Sequence, residues 1–225
     1  AGYVYSGKTA AAAFKTLQQF QYDTIIILGP SHRYAFNGAS VYDGTGYQTP
    51  LGDVSINQSL AEKIREASDL VGFVSQAHHN EHSIEVELPF LQYLFQASFK
   101  LVPIIIGGLD RQVITSVSQA ISNYANPKST LIVASSDFSH FFHEDVAKDM
   151  DTKAMDYILK KDFEGVYGAQ QRLEVQMCGL APIMVLGDLF NNWGGTMIDH
   201  LGYTHSGEIS GDPSSVVGYH GASFY

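Results

Sequence analysis

Cysteine is almost missing from this chain. Cys178 stands alone among 225 residues, so no disulfide forms within the chain and no cysteine-rich zinc site exists. Basic residues are also scarce: 13 Lys and Arg face 23 Asp and Glu, a formal net charge of −10. That balance speaks against nucleic-acid and anionic-membrane surfaces, which both need a basic face. No apolar run reaches the roughly 18–20 residues of a transmembrane helix. No secretory signal is visible, and a cytoplasmic location is expected. There is no Walker loop and no G-x-G-x-x-G, so nucleotide binding has no support in the sequence. Ser136-Asp137 hints at a hydrolase, but no G-x-S-x-G elbow accompanies it. Linkers, low-complexity tracts and internal repeats are absent as well. The chain opens at Ala1 in the phrase AGYVYSG, and residues upstream are expected.

What is present suffices for a core. Hydrophobic residues make up 45% and charged residues 16%, which rules out global disorder and fits one α/β domain over residues 1–225. An Ala-rich stretch predicts a helix over 9–20, and a β-branched run predicts a buried strand over 24–28. Further strands are expected near 39–42, 70–74, 101–106, 130–134, 195–203 and 216–225. Asn57 stands as an N-cap before a helix over 58–67. Asp110 does the same before an amphipathic helix with Val113, Ile114, Val117, Ile121 and Tyr124 on one face. Ile84, Leu88, Leu91 and Phe95 predict a helix over 83–95, and others are expected over 144–160 and 179–190. Short apolar strands alternating with helices imply a mostly parallel or mixed sheet flanked by helices on both faces.

The nine histidines matter by position. His32 follows the strand at 24–28, in the phrase LGPSH, and His140 follows the strand at 130–134, in SSDFSH. Both lie at carboxyl ends of buried strands, the edge where open α/β sheets bind ligands. His82, in EHSIE, opens a predicted helix, a rigid place from which to aim a side chain. Neutral imidazole suits iron, zinc and copper, and two histidines plus a carboxylate leave open positions on Fe(II). A further histidine nearby can move protons. His78, His79 and His143 are read as solvated, His200 and His220 as structural, and His205 stays open.

Several phrases fall in a familiar order: AGYVYSG at 1–7, LGPSH at 28–32, YQTPLGD at 47–53, EHSIE at 81–85, Leu88-Pro89, SSDFSH at 135–140, Cys178-Gly179 before Pro182, and the stretch 214–218. The chain resembles the Memo family, whose prokaryotic members are labelled AmmeMemoRadiSam system protein B. The resemblance implies a fold similar to the LigB-type class III extradiol dioxygenases, non-haem Fe(II) enzymes that open catechol rings with O2. By that likeness His32, His82 and His140 line one site, with His32 and His82 as ligands and His140 as the acid–base or neighbouring ligand histidine. Some Memo members add a cysteine ligand near the C-terminus, where the dioxygenases have a glutamate. The matching stretch here, THSGEISGD at 204–212, has no cysteine, so Glu208 is the natural substitute, with His205 and Asp212 as rivals. Cys178 matches a different phrase and is read as structural.

Three functions compete on this reading. The first is an Fe(II)-dependent, dioxygenase-like oxidoreductase with His140 and Asp137 as its catalytic pair. The second is a non-catalytic protein that holds a small molecule or a peptide in the same pocket. The third is a zinc or copper protein in which Asp137 or Glu81 serves as base. Tyr3, Tyr5, Tyr34, Phe138 and Phe141 are candidate aromatic walls, which suits an aromatic ligand. The family label also suggests a functional link to a radical-SAM protein.

Overall fold

A computed structural model describes residues 2–96 and 98–225. The elements in chain order are α1 (Tyr3–Lys15), β1 (Thr24–Pro30), β2 (Ala39–Val41), β3 (Gly46–Thr49), β4 (Gly52–Ser55), α2 (Gln58–Arg65), β5 (Val71–Gly72), α3 (Ser75–His78) and α4 (Leu88–Phe95). There follow β6 (Lys100–Ile106), α5 (Arg111–Tyr124), β7 (Thr130–Ala134), β8 (His140–Phe142), α6 (Glu144–Leu159), α7 (Phe163–Gln171), α8 (Leu180–Asn192), β9 (Ile198–His205), α9 (Gly207–Ser210) and β10 (Val216–Phe224). They belong to two compact units. One comprises Gln19–Ser136 and Gly179–Gly194; the other comprises Ala1–Gln18, Asp137–Cys178 and Gly195–Tyr225.

The first unit carries the α/β architecture expected from the sequence. Its sheet runs β5-β2-β6-β1-β7. β1 pairs in parallel with both β6 and β7, β2 pairs in parallel with β5, and β2 runs antiparallel to β6, so the sheet is mixed and mostly parallel. Every residue of β1 is buried, as is all of β6 after Lys100. Unbroken burial, without alternation, means that both faces of these strands are covered. α8 packs on β1 and β7, α5 on α8, and α2 on α5 and the β2–β6 pair. The caps are those the sequence indicates: the Asn57 side chain accepts from Leu60 N, and Asp110 accepts from the N–H groups of Gln112 and Val113.

Two features of this unit depart from the expectation. The helix expected over 83–95 begins only at Leu88, with Pro89 in its first turn. The backbone N–H groups of His82 and Ser83 are taken by the Glu81 carboxylate instead, so the preceding residues stay in turns. The hairpin β3–β4 carried no strong strand pattern. It is held by Gln92, whose side chain accepts from Thr49 Oγ1 at 2.6 Å and donates to Gly52 O at 3.0 Å.

The second unit is built on an antiparallel sheet, β8-β10-β9, with β10 in the middle. α1 and α6 pack on β9 and β10, and α7 packs on α6. Asp151 of α6 is fully buried; it accepts Ser139 N–H at 2.8 Å and the Tyr203 hydroxyl at 3.0 Å, tying the residues before β8 to α6 and β9. The short β8 and the helix α7 were not foreseen. No described helix is long and apolar enough to cross a membrane.

Candidate metal centre

The first group of candidate ligands lies where β1 ends. Gly29 is the reason the chain can assemble it: a Cβ there would lie 2.4 Å from Ser83 Oγ. The missing side chain lets the 81–84 turn settle on the strand end, where Ser83 Oγ donates to Pro30 O at 3.1 Å. That contact brings Glu81 and His82 beside His32, two residues beyond the strand.

Glu81 is the anchor. Its side chain is only 2% exposed. Oε2 accepts His32 N–H at 2.6 Å, while Oε1 accepts the backbone N–H groups of His82 and Ser83 at 2.9 Å each and faces His32 Nδ1 at 2.9 Å. Burial pushes the carboxyl pKa up, but the bonds from the His32 ring and from the His32 and Ser83 backbone prevail and bring it down to about 2. A carboxylate at Nδ1 places the ring proton there, which leaves Nε2 as the donor nitrogen of His32. His82 sits alongside, its ring stacked on that of His32 with centroids 4.9 Å apart and planes 22° apart. Its Nδ1 is 3.6 Å from the same Oε1. Burial lowers the His82 pKa against the opposing pull of Glu81, favouring the neutral ring that a metal requires. Ligand atoms of His32, Glu81 and His82 all fall within 4.8 Å of one another.

A second group stands in the other unit: Asp137, His140 and Cys178, again within 4.8 Å. Asp137 N–H donates to Cys178 Sγ at 3.1 Å, and Cys178 N–H donates to Asp137 O at 3.2 Å. His140 Nε2 is 3.9 Å from Asp137 Oδ2. A hydrogen bond with Cys178 raises the His140 pKa, burial opposes it, and the charges of Cys178 and Asp137 add to the rise. Cys178, read from the sequence as structural, is a member of this polar cluster.

Among the described residues, Glu208 belongs to neither group. It lies on α9, accepts the Thr204 hydroxyl at 2.8 Å, and its Oε1 is 3.9 Å from His205 Nε2. His205 is buried, with Nε2 also 3.6 Å from Glu144 Oε2. Asp212 is engaged by Ser214, whose N–H and hydroxyl both donate to it. His78 is not solvated as expected. It meets Ser40 Oγ at 2.9 Å, stacks on Phe73, and burial pushes its pKa down to about 4. His143 is exposed and caps α6. Of the proposed aromatic walls, Phe138 is buried edge-on against His220, whereas Tyr3, Tyr5, Tyr34 and Phe141 are exposed.

The first group is one that could hold a metal ion. Its two stacked imidazoles, both with Nδ1 near a buried carboxylate, are held in orientation. A family model described as "Memo-like protein" matches residues 1–223. A MEMO1 family protein of Methanosarcina barkeri is 37% identical over 97% of this chain and 82% of its own length. Another, of Methanosarcina mazei, is 38% identical over 97% of this chain and 81% of its own. The crystal structure of an uncharacterized protein from Escherichia coli K12 shares the fold, with a TM-score of 0.55, 12% identity, and coverage of 92% of this chain and 91% of that one. This is an α/β protein with a histidine–carboxylate group at the end of a central strand. The chain belongs to the Memo family.

Proposed function

We propose that this chain is a metal-dependent oxidoreductase of the non-haem iron type, with His32 and His82 holding Fe(II). The observation that carries the reading is the buried Glu81 carboxylate, which engages His32 twice and stands beside the stacked His82 ring. Bound Fe(II) would supply a Lewis acid with open positions for a substrate oxygen and O2. Glu81 has its oxygens occupied by four donors, so its part is to orient and not to ligate. His32 keeps its proton at Nδ1 through Glu81, and burial keeps His82 neutral. By the family likeness alone, proton handling is assigned to His140 with Asp137, and a third ligand to Glu208.

An anaerobic Fe(II) titration tests the reading. One equivalent is expected for the wild type and none for the His32→Ala, His82→Ala double variant. Glu208→Ala, run beside it, tests the third ligand. No binding at micromolar iron overturns the oxidoreductase reading and leaves a pocket for a small molecule or peptide. Copper or zinc recovered from an aerobic preparation does not decide the matter, because both outcompete iron at most nitrogen and oxygen sites.

A further inference from the structure

One Asn-Gly step occurs in the sequence, at Asn37-Gly38. It stands between β1 and β2, immediately before Ala39 opens β2. Ala39 and Pro30 both face Ile106 of β6, so the step lies at the same edge of the sheet as His32. The chain beyond the step is pinned. Gly38 O accepts Gly107 N–H at 2.9 Å, and Ala39 N–H donates to Leu70 O at 2.8 Å. Gly38 has a φ of +121°, and a Cβ there would lie 2.7 Å from Leu70 O, so the fold requires glycine at this position. Asn37 is held by nothing comparable. It is exposed, and among the described residues no hydrogen bond engages its side chain or the Gly38 N–H. Asn57 is the contrast: its Nδ2 donates to Thr24 Oγ1 at 2.8 Å and its Oδ1 accepts Leu60 N–H at 3.3 Å.

Asparagine is a thermolabile residue because the next backbone nitrogen can attack its side-chain amide. Glycine as the next residue has no side chain to obstruct that approach. A hydrogen bond on either reacting group would oppose the attack, and here both groups lack one. We propose that Asn37 is a modification site, converted in the folded protein to aspartate and isoaspartate with water as the co-reactant. The Gly38 nitrogen gives its proton to hydroxide and bonds to Asn37 Cγ. Ammonia leaves with a proton taken from water, and a five-membered succinimide remains. Water then breaks one of the two imide C–N bonds. Breaking the bond to Cγ gives aspartate, and breaking the bond to the Asn37 backbone carbonyl carbon gives isoaspartate. No oxidant or reductant enters. Either product adds a negative charge five residues after His32, and isoaspartate also lengthens the backbone by one carbon just before the pinned Gly38. The proposal stands apart from the iron reading.

The test incubates the full chain in mildly alkaline buffer at body temperature over several weeks, with circular dichroism showing that it stays folded. Trypsin cleavage after Arg33 and Lys63 puts Asn37 and Asn57 in one peptide. Fragmentation of that peptide locates any gain of one mass unit, a readout that isomerisation at Asp43-Gly44 leaves unmoved. Asn37 is expected to convert at least tenfold faster than Asn57, and at no less than a tenth of the rate of a free peptide spanning 34–41. The Asn37→Gln variant should lose the fast conversion. A folded-chain rate below a tenth of the peptide's means that the fold shields the step, and it overturns the inference. So does conversion of Asn57 as fast as Asn37, or an equal mass gain in the Asn37→Gln variant.

Discussion

His32 meets Glu81 twice: its ring Nδ1 lies 2.9 Å from Oε1, and its backbone N–H donates to Oε2 at 2.6 Å. A histidine held at both backbone and ring loses little freedom when it takes a metal. Glu81→Gln keeps the shape but turns an acceptor-only group into one with an N–H donor pair. Iron affinity in anaerobic titration is expected to fall by about 10–100-fold. An unchanged affinity would show that Glu81 does not orient the ligands.

Acid should weaken the fold in two stages. His78 has its pKa pushed down to about 4 by burial, against an ordinary 6.5. The unfolded chain therefore binds that proton first, and stability falls as pH drops from about 6.5 to about 4, by on the order of 3 kcal/mol. Glu81, brought down to about 2 from 4.5, is ionised in the fold where the unfolded chain would be protonated, so its contribution is full above pH 4.5 and lost between there and pH 2. Urea midpoints measured from pH 7 to pH 3 check the sequence of losses. His78→Phe keeps a ring against Phe73 and should shrink the upper stage without abolishing it, because His220, pushed down to about 3 by burial and by His200, loses stability over the same range.

Gly29→Ala should destabilise the protein by about 1–3 kcal/mol, because the added Cβ meets Ser83 Oγ at 2.4 Å and Ile84 Cγ1 at 3.2 Å in a packed interior. The 81–84 turn must move to make room, and iron affinity should fall with the urea midpoint. A stability loss with intact iron binding would mean that the turn relaxes without disturbing Glu81 and His82.

Asp151→Ala should cost about 2–4 kcal/mol in urea unfolding, since the buried Ser139 N–H and the Tyr203 hydroxyl both lose their acceptor. Tyr203→Phe removes one donor and leaves the other bond, so about 1 kcal/mol is expected. Equal effects of the two variants would argue that the Ser139 contact contributes nothing.

Much of the fold was legible because its signals were local. The unbroken Ile-rich run of β1, the Asn57 and Asp110 caps and the amphipathic stripe of α5 all read correctly from neighbouring residues. The helix start at Leu88 was misplaced because Ile84 fits the helical period, while the carboxylate that claims the N–H groups of His82 and Ser83 comes from Glu81 just before it. The pairing of His32 with His82 was foreseen from the family phrases, but not the burial of Glu81 between their backbones. Placing Cys178 beside Asp137 depends on contacts 41 residues apart in sequence, and no local pattern carries them.

β10 is the middle strand of its sheet, and it follows every other element in the chain. α1, made near the beginning, packs on β9 and β10. At ribosomal rates of roughly 5–20 residues per second, α1 waits about 10–40 s for the strands that cover it. Throughout that interval its docking side is open to chaperones or to neighbouring nascent chains. A ribosome stalled after residue 194 would release a polypeptide with every element of one unit and neither of the two long strands of the other.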